Sequence, residues 1–154
     1  MINPISKDLF KTQIFLFLTF VAFVSFCLKK SVPMTNDIQA LPQSEAQRQE
    51  FSWGNLTWFA NRALGNSDDM TVGRCILKPG HTNGRHYHPN CSETLVVIQG
   101  RIRHTFTGGR ETELSEGDTV VIPPNVRHSA TNIGEIDAVL FIAFSSADRQ
   151  TVGE

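Results

Sequence analysis

Residues 80–100 read GHTNGRHYHPNCSETLVVIQG, and residues 117–132 read GDTVVIPPNVRHSATN. His86 and His88 are two positions apart, and side chains with this spacing point to the same face of a β-strand. The proline and asparagine that follow predict a tight turn, after which a second strand brings Glu93 alongside both histidines. These stretches therefore predict short strands that converge on one cluster of polar side chains.

A third histidine, His128, comes forty residues after His88 and must belong to a different strand. Three neutral imidazoles and one carboxylate suit a divalent transition metal such as Fe, Mn, Ni, Zn or Cu. The pattern does not select among these metals. The sequence predicts one metal site, held by His86, His88, Glu93 and His128.

Both stretches resemble the two motifs of the cupin superfamily. The first family motif runs G, five residues, HxH, three or four residues, E, six residues, G. Its fixed positions are all filled here, by Gly80, His86, His88, Glu93 and Gly100. The resemblance implies an all-β, single-domain cupin β-barrel, the fold also called a double-stranded β-helix or jelly roll.

The second family motif runs G, five residues, PxG, two residues, H, three residues, N. Gly117, Pro123, His128 and Asn132 match it, and Asn125 stands where glycine is usual. Asparagine tolerates the left-handed backbone conformation better than other residues that carry a side chain. We therefore expect the turn to survive this departure.

The sequence divides into four segments. Residues 1–33 contain an apolar run at 14–28, residues 34–50 are a polar linker, residues 51–146 form the barrel, and residues 147–154 are a tail. From residue 51 onward, short alternating runs separated by glycine and proline turns favour an all-β barrel or sandwich. No internal repeat is visible, which argues against two barrels.

Three interpretations of residues 1–33 stay open. The run at 14–28 is short for a membrane span but is flanked by lysines, so it fits either a marginal membrane anchor or a signal peptide. In the third interpretation Met34 is the true start. The protein is cytoplasmic in that case, and membrane-anchored or exported in the other two.

Composition excludes few classes of function. The net charge is −1, with 14 basic and 15 acidic residues and no basic stripe, so nucleic acid is not an expected partner. The cysteines Cys27, Cys75 and Cys91 show no CxxC spacing. Free thiols are favoured, with a disulfide between Cys75 and Cys91 as the alternative.

His104 shares its strand parity with Ile102 and Phe106, so it is expected to point into the barrel. It is either a buried core histidine or a proton shuttle and supporting partner beside the metal. Glu93 and His104 are accordingly the candidate catalytic residues. Leu95, which shares its parity with Glu93, predicts an apolar cavity near the metal.

The last strand, at 138–144, is apolar on both faces. One face fills the barrel. The other needs a cover, either from a second copy of the chain or from Phe51, Trp53 and Trp58. We favour a homodimer.

The resemblance implies a metal-dependent enzyme, of the dioxygenase kind, acting on a small oxygenated organic molecule. Four protein ligands on an octahedral metal leave two positions for a chelating substrate, or for substrate and O₂. One alternative is a non-catalytic cupin that binds a small ligand or sugar. Another is a metal-dependent isomerase or decarboxylase.

Overall fold

The computed structural model describes residues 38–154, so the interpretations of residues 1–33 lie outside the described residues. The described chain is built from eleven strands and two short 3-10 helices, Gln43–Glu45 and Arg62–Leu64. Within this part of the chain, no helix is both long enough and apolar enough to cross a membrane. The strands are β1 (Gln47–Phe51), β2 (Gly54–Ala60), β3 (Thr71–Leu77), β4 (His86–Tyr87), β5 (Glu93–Gln99), β6 (Arg101–Phe106), β7 (Glu111–Ser115), β8 (Thr119–Ile122), β9 (His128–Asn132), β10 (Ala138–Phe144) and β11 (Val152–Gly153).

The strands form two antiparallel sheets. The six-stranded sheet has the order β1-β2-β3-β10-β5-β8, and the five-stranded sheet has the order β11-β4-β9-β6-β7. Consecutive strands along the chain repeatedly change sheet, as in a jelly roll. This arrangement confirms the all-β cupin barrel expected from the sequence.

Alternation along the strands places the core between the sheets. On β3 and β10 every second residue is buried, and Leu77 and Leu140 are almost fully enclosed. Ile102 and His104 on β6 are also buried, as their parity predicts. Asn125 has a φ of 64°, so the turn before β9 takes the left-handed conformation expected of it.

Both ends of the predicted barrel carry more structure than the sequence indicated. β1 begins at Gln47, inside the segment interpreted as a linker, and β11 lies inside the segment interpreted as a tail. All five residues of β1 are exposed, and four of them are polar. The strand therefore lacks the apolar alternation by which a strand is recognised in a sequence. Pairing with β2 on one side makes it an edge strand.

Candidate metal centre

The side chains of His86, His88, Glu93 and His128, called here the metal cluster, converge in the structure. Each offers one ligand atom, and these atoms lie within 4.8 Å of one another. Oε2 of Glu93 lies 3.2 Å from Nε2 of His88 and 3.2 Å from Nε2 of His128. Donors bound to one ion at about 2.1 Å and at right angles lie about 3 Å apart, so the spacing fits a shared metal.

The cluster is assembled from three strands that belong to two different sheets. His86 lies on β4 directly opposite His128, the first residue of β9. Glu93 is the first residue of β5, in the other sheet. His88 comes directly after β4, before the turn that leads to β5. The cluster therefore exists only when the two sheets pack face to face.

Backbone carbonyls fix the orientation of all three imidazoles. Nδ1 of His86 donates to the carbonyl of Gly84 at 2.7 Å, and Nδ1 of His128 donates to that of Val126 at 2.8 Å. Nδ1 of His88 donates to the carbonyl of Gln150 at 2.7 Å. A carbonyl only accepts, so each Nδ1 carries the hydrogen and each Nε2 is left to act as the ligand atom.

Burial and the short distances between the cluster residues shift the pKa values of Glu93 and His128. Glu93 is 5% exposed. Burial alone would raise the pKa of Glu93, but hydrogen bonds from His128 and His88 hold that pKa well below its usual range. Burial opposes the protonated form of His128 too, yet the pKa of His128 is raised because Glu93 lies beside it. Glu93 and His128 therefore each shift the pKa of the other towards its charged form.

The pKa of His86 is shifted in the direction opposite to that of His128. Burial, and then the charge on His128, lower the pKa of His86 to about 4. It is therefore neutral near pH 7, the state in which an imidazole binds a metal. A divalent ion bound at Nε2 of His128 would take the place of a proton on that nitrogen.

One cavity of about 420 Å³ opens onto the cluster, and His86, His88 and Glu93 line it. Most of the remaining wall is apolar. Leu95, Ile142 and Phe144 line the cavity, as expected from the parity of Leu95 with Glu93, which predicted an apolar cavity beside the cluster. Trp53 and Trp58 also line it, so they form an aromatic wall as well as packing the barrel.

His104 lies behind the cluster. It is 1% exposed, and its ring stacks on that of His128 with centroids 5.4 Å apart and planes 16° apart. It is not among the residues that line the cavity. Its Nδ1 is buried without a hydrogen-bond partner among the described residues. Its catalytic role, like that of Glu93, stays a prediction.

The C-terminal segment, residues 147–154, supplies parts of the site that sequence reasoning missed. β11 pairs with β4, and Gln150 provides the carbonyl that orients His88. Arg149 and Thr151 line the cavity. A two-residue strand is too short to show the alternation of apolar and polar residues, so the sequence did not predict these contacts.

Two facing antiparallel sheets that enclose a three-histidine, one-glutamate cluster define a β-barrel of the cupin class with a candidate metal site. The family model described as Cupin domain matches residues 73–144. The chain therefore contains a domain of the cupin superfamily.

Curated relatives and solved structures agree with this assignment. Germin-like protein 3-8 of Oryza sativa subsp. japonica is 35% identical over 85 residues, which cover 53% of this chain and 38% of the relative. Auxin-binding protein ABP19b of Prunus persica is also 35% identical over 85 residues, covering 53% of this chain and 41% of the relative. The chain thus spans less than half the length of each of these two relatives.

Among solved structures, a Bacillus subtilis oxalate decarboxylase described for its Mn(II) centres has a TM-score of 0.65 and 23% identity. The match covers 72% of this chain and 30% of that chain. At this identity the likeness shows the fold alone.

Proposed function

We propose that this protein is a metal-dependent enzyme, of the oxygenase kind, that acts on a small oxygenated organic molecule. The observation that supports the proposal most strongly is the position of the metal cluster at the wall of an apolar cavity. A purely structural metal site is closed by its ligands, whereas here three of the four cluster residues line space of about 420 Å³.

Each residue of the metal cluster offers one donor atom to a metal ion. His86, His88 and His128 present Nε2, and Glu93 presents a carboxylate oxygen. A divalent metal held there acts as a Lewis acid towards a coordinated hydroxyl or enol. With four protein donors, a bound ion would have room for a chelating substrate, or for a substrate and O₂.

The apolar wall supports this chemistry in two ways. Leu95 and Ile142 give the space next to the cluster an apolar wall, and electrostatic interactions are stronger beside apolar groups than in bulk water. They also favour a compact substrate whose carbon skeleton contacts the wall while its oxygens face the cluster. Mn(II) and Fe(II) are the first ions to test, and Mn(II) is chosen because the Bacillus subtilis oxalate decarboxylase of the same fold has Mn(II) centres.

A non-catalytic binding protein is the second candidate. Two carboxylate side chains line the cavity: Glu154 pairs with Arg85, and Glu93 lies against His88 and His128 as part of the metal cluster. A base dedicated to proton transfer is therefore missing from the described cavity wall, unless Glu93 serves as both ligand and base. This observation favours simple ligand binding over turnover.

Metal analysis followed by oxygen-uptake measurements distinguishes the candidates. The purified full chain is loaded with Fe(II) or Mn(II) and exposed to a panel of enols, hydroxy acids and diols, with His88→Ala as the metal-site control. The proposal predicts oxygen consumption that needs both metal and substrate and is lost in His88→Ala. Product formation without oxygen uptake would indicate isomerase or decarboxylase chemistry, and ligand binding without any turnover would indicate a binding protein.

A further inference from the structure

Arg149 occupies an unusual position in the cavity. It comes from the C-terminal segment and lines the same space as Glu93. Its guanidinium carbon lies 4.5 Å from the centre of the Trp58 ring and 4.9 Å from that of Phe144. The Phe144 ring also contacts His88, with centroids 4.9 Å apart. Two aromatic rings therefore contact the guanidinium, and one of them, Phe144, separates it from His88 of the metal cluster.

This guanidinium lacks an acidic partner within salt-bridge distance in residues 38–154. Its side chain donates a hydrogen bond to the hydroxyl of Thr151. Arg85, which lines the same cavity, is instead paired with Glu154 at 3.0 Å. Burial lowers the pKa of Arg149, although a guanidinium stays protonated at any ordinary pH.

Charge balance in the cavity favours an anionic ligand. Glu154 pairs with Arg85 and also with Arg127, and Glu93 belongs to the metal cluster, so Arg149 is the charged side chain of the lining that lacks an acidic partner among the described residues. Once Glu93 and three neutral imidazoles hold a divalent metal, the cluster carries one net positive charge and Arg149 adds a second. A cleft of one sign with apolar walls concentrates ligands of the opposite charge.

The geometry of the guanidinium group indicates which kind of anion would bind best. Its planar fork of N–H donors matches a carboxylate through two parallel hydrogen bonds. The rings of Trp58 and Phe144 restrict its motion, so little conformational freedom is lost on pairing. A carboxylate bound here shares the cavity with whatever group the metal cluster holds.

We infer that Arg149 binds a carboxylate of the substrate at the end remote from the metal, so that the substrate is a small organic acid with metal-binding oxygens at its other end. The inference rests on the proposed function, since the metal cluster is its second anchor. It assigns to Arg149 the role of a residue that determines substrate specificity.

A matched pair of ligands tests this inference. Malate and 2-hydroxybutyrate share a 2-hydroxy acid group that chelates metals, but malate carries a carboxylate where 2-hydroxybutyrate carries a methyl group. Dissociation constants are measured by calorimetry on the full chain loaded with Mn(II). We expect malate to bind more tightly by on the order of 10- to 100-fold, the range typical of a hydrogen-bonded charge pair.

Three variants complete the experiment. Arg149→Met keeps an unbranched side chain over the two rings without the charge, and it should bind both ligands as wild type binds 2-hydroxybutyrate. Arg149→Lys keeps the charge without the fork and should keep part of the preference. Arg103→Gln removes an arginine that pairs with Glu113 away from the cavity, and it should behave like wild type.

The outcomes separate the inference from the proposed function. Equal affinity for both ligands in wild type, or a malate preference that survives Arg149→Met, overturns the role of Arg149 and leaves the chelating metal site intact. Failure of both ligands to bind the Mn(II)-loaded protein overturns the inference together with the proposed open metal site. Unchanged 2-hydroxybutyrate affinity in Arg149→Met shows that the variant is folded.

Discussion

At the scale of single residues, the decisive feature is that each cluster histidine has its Nδ1 occupied by a backbone carbonyl. Gly84 and Val126 each lie two residues before the histidine they orient, so these two contacts are local. The contact to His88 comes from Gln150, sixty-two residues away. Ligand identity follows from motif spacing, whereas ligand orientation depends partly on a distant segment that no motif describes.

Glu93 contributes the negative charge of the metal cluster. We expect Glu93→Gln to weaken Mn(II) binding by about tenfold or more, because a carboxylate beside a divalent cation is lost while three imidazoles remain. The variant should still fold, since a neutral amide costs less to bury than a carboxylate. Competition with a chelator of known affinity measures the first effect, and thermal unfolding measures the second.

Glu113→Gln provides the matched control for that experiment. Glu113 is exposed and pairs with Arg103 on the outside of the barrel, so its substitution should leave the affinity unchanged. Chelation should lower the melting temperature of wild type by more than that of Glu93→Gln, because binding to the native state stabilises it in proportion to affinity. Equal affinities in wild type and Glu93→Gln would exclude the carboxylate as a ligand.

His104 should make the stability of the metal-free protein depend on pH. Burial, and then the charge on His128, lower the pKa of His104 from 6.5 to about 4. The unfolded chain therefore binds more protons than the folded one, so the free energy of unfolding falls as pH drops below about 6.5. His86 contributes with the same sign.

His104→Phe should make that decline shallower, because it removes one titrating group and keeps an aromatic ring stacked on His128. Urea unfolding in the presence of a chelator, from about pH 7 to about pH 4, measures the slope. His81→Gln is the control, since His81 is exposed and lies in a loop. A decline as steep in His104→Phe as in wild type would show that His104 is not buried in its neutral form.

At the scale of elements, the strands with clear alternation could be located from the sequence and the ones at the edges could not. The strand predicted at 138–144 coincides with β10, on which every second residue is buried. β1 and β11 contain only exposed residues, so they show no burial pattern. Their positions depend on backbone pairing with β2 and β4, which leaves no signature in side-chain type.

Asn90 fastens the C-terminal segment beside β4. Its Nδ2 donates to the carbonyl of Asp148 at 2.9 Å, and its Oδ1 accepts from the backbone N–H of Gln150 at 2.9 Å. We expect Asn90→Ala to cost about 1–3 kcal/mol of stability and to weaken metal binding about tenfold, because the carbonyl that orients His88 loses its anchor. Denaturant unfolding and metal competition measure the two effects.

Asn66→Ala is the matched control for Asn90→Ala. The Asn66 side chain also makes two backbone hydrogen bonds, to the carbonyl of Phe59 and from the N–H of Asn61, but in a turn remote from the cluster. It should lose stability without losing metal affinity. A loss of affinity in Asn66→Ala equal to that in Asn90→Ala would mean that general destabilisation, not the orientation of His88, sets the affinity.

At the scale of the whole molecule, the six-stranded sheet presents an apolar outer face. Phe141, Val121 and Ile98 are 41%, 62% and 52% exposed, and strand parity puts all three on this face. Phe51, Trp53 and Trp58 line the cavity on the inner side, so they do not supply the cover. The homodimer expected from the last strand stays a prediction.

Phe141→Asp tests that homodimer, because a charge at the centre of an apolar interface opposes association. We expect the wild-type chain to sediment as a dimer and Phe141→Asp to sediment as a monomer. Ile136→Asp, at an exposed apolar side chain in a loop, should leave the dimer intact. A wild-type monomer at all concentrations would contradict the prediction.

The central claim is that His86, His88, Glu93 and His128 hold one divalent metal inside the barrel. Metal content per chain, measured by mass spectrometry after loading with Mn(II) and removal of free ion, tests it most directly. We predict about one ion per chain in wild type and none retained in the double variant His88→Ala, His128→Ala, which removes two of the four donors. A wild-type chain that retains no ion, or a double variant that retains as much as wild type, would contradict the claim.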